Sequence, residues 1–162
     1  MKTTEETTHL KKLSNIGHET IPVNRLCVST GLTTCIILIL YFGIMNLADL
    51  QENTSLRVFN FIILLAGLLY AFFAYAEPNN NKIEYFTGLK IGVMVSLIAV
   101  VPFALFMAVY LFYNPELMHA IQAKVNIGGR LNPLEAAGAV CMEGISSGAI
   151  ITFIAMQFFK DN

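Results

Sequence analysis

The stretch GLKIGVMVSLIAVVPFALFMAVYLFY, residues 88–113, carries a single charged side chain, Lys90, close to its start. Apolar and polar residues do not alternate along it, which argues against a strand of a membrane barrel. It exceeds the roughly 20 apolar residues a helix needs to cross a hydrocarbon core about 30 Å thick. Lipid offers no partner for backbone N–H and C=O groups, and a helix satisfies them within itself. The stretch therefore predicts a transmembrane helix.

Three further runs, 26–47, 58–76 and 134–159, read the same way. Across all 162 residues 13% are charged and 56% hydrophobic, with a mean hydropathy of +0.63. Soluble domains carry about 25% charged residues, and here the deficit falls within the four runs. The expectation is one all-α integral membrane domain of four transmembrane helices (26–162), preceded by a polar tail (1–25).

Lys and Arg set the orientation. Lys2, Lys11, Lys12 and Arg25 precede the first run, Lys82 lies in the second connector with Lys90 on its flank, and Lys160 follows the last run. Arg57, Lys124 and Arg130 fall on the opposite side. Seven against three predicts both termini in the cytoplasm. The first 25 residues are too polar for a cleaved leader, so the first run reads as its own insertion signal. The net charge of −1 gives no reason to expect a nucleic acid partner.

The segments outside the apolar runs are short. Residues 7–17, TTHLKKLSNIG, form either a brief amphipathic turn on the membrane surface or a frayed tail. Asn53-Thr54-Ser55 matches a glycosylation acceptor, a three-residue pattern of little weight. In EPNNNKIEYF, Tyr85 and Phe86 stand with Tyr75 where an aromatic belt forms. The longest connector, 114–132, opens with Asn114 as an N-cap and Pro115 at the first helical position. Leu117, Ile121 and Val125 give it an apolar stripe, and Gly128-Gly129 ends it. This predicts a short amphipathic helix in the outer loop between the third and fourth spanning helices, with His119 solvated.

Inside the runs, polar residues are few. Asn132 and Glu135 read as a capping box that starts the fourth helix, the acid reaching back to the cap N–H. Glu143 has no such role. It lies ten residues past Pro133, about 15 Å along the helix and near the bilayer midplane. An ionised carboxyl there costs at least about 2.5–3.5 kcal/mol, which favours the neutral acid. Ala136, Ala139, Val140, Ser146, Ser147 and Ile150 lie on or beside its face, bordered by Gly144 and Gly148. Small residues let helices approach closely, so this face is expected inside the bundle. Pro102 removes a hydrogen bond to the Ile98 carbonyl, which makes that carbonyl a candidate partner for Glu143, along with Ser96, Thr33, Thr34 and Tyr70. Asn46 and Asn60 are expected to pair near the outer ends of the first two helices, and Lys90 to snorkel to the cytoplasmic interface.

Catalytic patterns do not assemble. Gly144-Ile145-Ser146-Ser147-Gly148 matches a nucleophile elbow, but it sits mid-helix, and His9, His18 and His119 lie outside the runs. Cys27, Cys35 and Cys141 lack the paired spacing of a disulfide framework or metal site and read as packing residues. No cofactor is indicated, and an enzyme is not expected.

The segments EYFTGLKIG, PFALFMAVYLFYNPELM and LNPLEAAGAVCMEGISSGAIITFIAMQFFK together resemble a family of small four-helix membrane proteins, frequent in Bacteroidota, to which no activity is assigned. The resemblance runs from about residue 26 onward and implies a bacterial inner-membrane location. It carries over no catalytic residue. Two functions remain open. One is an accessory or structural subunit that packs with a larger membrane complex or with itself. The other is a small proton-linked transporter or channel with Glu143 as its titrating site.

Overall fold

The computed structural model describes residues 22–48, 58–79, 83–124 and 131–159. Most of the tail, the glycosylation pattern, Val125, Gly128-Gly129 and Lys160 lie outside these residues. Helix α1 spans Val23–Leu47, α2 Val58–Ala76, α3 Tyr85–Tyr113, α4 Pro115–Lys124 and α5 Pro133–Phe159. A 3₁₀ turn, Glu77–Asn79, follows α2 directly. All but α4 are long and apolar enough to cross a membrane, and four such helices point to a multi-pass membrane protein. The helices extend three residues beyond the apolar runs at the starts of α1 and α3, because a helix does not stop where its composition changes.

Helix α3 is the centre of the bundle. Half of its apolar span is buried within the protein, against a third or less for α1, α2 and α5. It packs most extensively on α5 and then on α1, while α2 lies against α1, α3 and α5. The main core is built where these helices meet, around Leu64, Leu68, Phe72, Ile91, Val95 and Met156. The outward faces keep their large apolar side chains, among them Ile36, Leu40, Leu105 and Phe112. Apolar on every side, α3 is the kind of helix a membrane interior permits.

The α3–α5 contact has a simple register. Gly88 faces Met156, Gly92 faces Thr152, Ser96 faces Gly148 and Val100 faces Gly144. Each step is four residues, forward along α3 and backward along α5, as an antiparallel pair requires. Glycine belongs to α3 in the first two layers and to α5 in the last two. A Cβ at Gly144 would lie 2.6 Å from Val100 Cγ1, so glycine here is what allows close approach of the backbones. Thr34 similarly fills the space left by Gly67 between α1 and α2, and Ile98 the space left by Gly31 between α3 and α1.

Helix α4 closes one end of the bundle. Met118, Leu111 and Ala136 form a small buried cluster there, with Leu117, Ile121 and Leu131 against it. The Gln122 side chain donates to the Leu131 carbonyl at 2.9 Å, holding the connector's return against the helix. Asn114 holds the N-cap position of α4, with Pro115 at the first helical position as the sequence suggests, but its side chain does not cap that helix. Its Nδ2 donates backward to the Tyr110 carbonyl at 3.0 Å, finishing α3, while its own carbonyl accepts from Met118 N–H to begin α4. A one-residue link leaves this side chain closer to the last turn of α3 than to the first turn of α4.

Candidate functional site

The polar side chains within the spanning helices divide into those satisfied by their own helix and those that are not. Thr34 Oγ1 donates to the Thr30 carbonyl at 2.8 Å and Thr152 Oγ1 to the Gly148 carbonyl at 2.7 Å, both buried. Thr33 Oγ1 donates to the Ser29 carbonyl at 2.9 Å, and Ser147 Oγ to the Glu143 carbonyl at 2.7 Å. These are i−4 bonds that commit the hydroxyl proton to the backbone. They leave little from which to build a proton relay. Among the described residues, Ser96 Oγ and Asn60 Oδ1 are buried without a hydrogen-bond partner. Asn46 accepts from Tyr110 Oη on α3, at 2.5 Å, rather than pairing with Asn60. The Tyr110 ring lies edge-on to Phe42, with centroids 5.0 Å apart.

Glu143 is exposed, not enclosed. Its neighbour Gly144 begins the seam that faces α3, which continues through Gly148, Thr152 and Met156. At about 100° per residue, Glu143 stands some 160° around α5 from the midline of that seam. The expectation that its small-residue face packs inside the bundle is therefore overturned for Ala139, Ser146 and Ile150, which are exposed with it. Ser147 is half-buried, and Ala136 is buried against α4. The interior face is the one centred on the glycines. Reading the face around the acid instead of along the four-residue glycine series shifted the helical phase.

The other candidate residues are placed as follows. Pro102 is exposed, and α3 runs through it as one helix. Ile98, whose carbonyl was a candidate partner for Glu143, has its side chain against Gly31 on α1, not toward α5. Tyr70 is exposed, 65% of its surface accessible, and Lys90 is exposed toward the start of α3. Glu135 Oε2 accepts from the Asn132 N–H at 2.9 Å, the reach-back half of a capping box. His119 is exposed on α4. The Gly144–Gly148 pattern lies within the continuous α5. Cys27 and Cys35 are buried, Cys141 is half-buried, and all three are free thiols. Among the described residues, His, Cys, Asp and Glu form no cluster of three able to hold a metal ion.

A shallow groove of about 500 Å³ opens between the end of α3 and the start of α5, lined by Ala108, Val109, Phe112 and Leu134. Its polar lining is Tyr113 and Asn132, and the Asn132 backbone N–H is already occupied by Glu135. The functionally suggestive feature is therefore the outward face of α5, with a carboxyl at mid-span. Comparison with family models, curated proteins and solved structures finds no match.

Proposed function

We propose that this chain is a small, non-catalytic accessory or structural protein of the bacterial inner membrane, with both termini cytoplasmic and α4 on the outer side. On this reading it packs through the outward face of α5 with a larger membrane complex or with itself. The observation that carries this is the exposure of Glu143 midway along a spanning helix. Intramembrane ionisable residues almost always face a protein interior or a water-filled cavity, because hydrocarbon penalises them. In a lone chain this one faces outward. A neighbouring protein would enclose it, and the exposed Ala139 and Ser146 on either side would let a second backbone come close.

The resemblance to small bacterial four-helix membrane proteins supports the location, and the Lys and Arg distribution supports the orientation. A pathway through a single chain gains no support. Glu143 lies on the outward face of α5, and the buried hydroxyls of Thr34 and Thr152 are bonded to their own helices. The test is purification of the tagged full chain at native expression level in lipid nanodiscs, with mass spectrometry and mass photometry of what remains bound. Stoichiometric recovery with another membrane protein, or as a homo-oligomer, supports the reading. A monodisperse monomer recovered alone refutes it.

A further inference from the structure

The two sides of α5 follow different periods. Inward, the seam against α3 repeats every four residues, at positions 144, 148, 152 and 156. Outward, Ala139, Glu143, Ser146, Ile150, Phe153 and Gln157 succeed one another at spacings of four, three, four, three and four, and all six are exposed. Alternating steps of four and three make a 3.5-residue repeat, the line along which two helices crossing at about +20° stay in contact. From 139 to 157 the stripe runs about 27 Å, close to the full thickness of the hydrocarbon core.

We infer that this stripe is a self-association face, and that its occupant is a second copy of the chain, docked in parallel about a two-fold axis along the membrane normal. The inference rests on the proposed function and names its partner. An identical chain inserts at the same depth and in the same orientation, so such an axis sets each residue of the stripe opposite itself. Every polar group on the stripe is suited to that. A hydroxyl (Ser146), a primary amide (Gln157) and a carboxyl that is protonated, or that shares one proton with its twin, each contain both donor and acceptor. Glu143 is the stripe's one ionisable residue, and no lysine or arginine stands on it to call for a partner rich in acids. Ala139 and Ser146 flank the acid by four and three residues, small enough for two short carboxyl side chains to meet at the axis. A polar layer such as the one at Glu143 is also the device that fixes register in paired helices.

The test uses the full chain in its native membrane, with single cysteines introduced along α5 and oxidised to disulfides. Ala139→Cys, Ser146→Cys and Ile150→Cys are expected to give covalent dimers. Val109→Cys, at an exposed position on α3, reports random collision. The native Cys141 packs against the protein's own core and is expected to stay silent. Glu143→Gln keeps a donor and an acceptor and should preserve cross-linking, whereas Glu143→Leu should lower the association constant roughly 3- to 20-fold. The substituted side chains are exposed, so the variants retain the fold, and a thermal melt of each checks this. Dimers that form equally well from Val109→Cys overturn the inference. Cross-links from the stripe to a different protein overturn the second copy as occupant and leave the accessory role standing. A stripe that cross-links to no protein overturns both.

Discussion

Replacing Gly92 with alanine tests the α3–α5 seam where the facing side chain is short and branched at Cβ. The added methyl carbon would lie 2.7 Å from Thr152 Cβ and closer still to Oγ1 and Cγ2. Rotating the threonine away does not relieve the Cβ contact, and it breaks the 2.7 Å bond from Oγ1 to the Gly148 carbonyl. The helices must separate by roughly 0.7–1.3 Å to restore ordinary contact, and a gap of that size forfeits a quarter to a half of each neighbouring van der Waals well. The Gly88–Met156 and Ser96–Gly148 layers, one turn away on either side, share that loss. Overpacking of this kind costs about 1–3 kcal/mol, which for a chain of this size lowers Tm by roughly 2–12 °C. Cys27 and Cys35 are buried, so a fluorogenic maleimide that reacts with them as the bundle opens reads out the melt. Gly43→Ala is the control, since a Cβ there meets nothing within 4 Å. Combining Gly92→Ala with Thr152→Gly removes the clash and should recover part of the loss, giving a coupling in the double-mutant cycle of at least about 0.5 kcal/mol. If Gly92→Ala melts within about 1 °C of Gly43→Ala, where a shift of at least about 2 °C is expected, the close-packed seam is wrong.

Tyr110→Phe keeps the ring against Phe42 and removes the hydroxyl that Asn46 accepts, so it should cost about 0.6–1.7 kcal/mol in the same melt. Glu135→Ala frees the Asn132 N–H and should lower stability by about 0.5–1.5 kcal/mol, with faster hydrogen exchange at that amide as the local readout. Gln122→Ala should loosen the return of the connector at Leu131, read as faster proteolysis between α4 and α5 with little change in Tm.

The four spanning helices were legible in the sequence because lipid imposes a length and a composition that few other environments demand. The capping acid at Glu135 was equally legible, since its spacing from Asn132 defines its bond. The orientation of α5 was not. Its two faces both carry small residues, and one chain read alone does not say which of them meets a neighbour. The decisive signal lay in the pairing of two distant series, Gly88-Gly92-Ser96-Val100 with Gly144-Gly148-Thr152-Met156, each spaced by four and each glycine matched to a larger residue on the other helix. The position of Asn114 before α4 was legible as well, but not where its side chain bonds. It stands between two helix ends, and propensity names the residue without naming the end it serves.

The glycine seam also has a meaning during synthesis. Its α3 half, with Gly88 and Gly92, enters the membrane long before the α5 residues that cover it have been made. Until then α1 can dock on α3, but the groove for Thr152 and Met156 faces lipid. The seam closes only when α5 folds back antiparallel on α3. A chain truncated after α4 would keep that groove open, displaying to membrane proteases a surface the finished protein never shows.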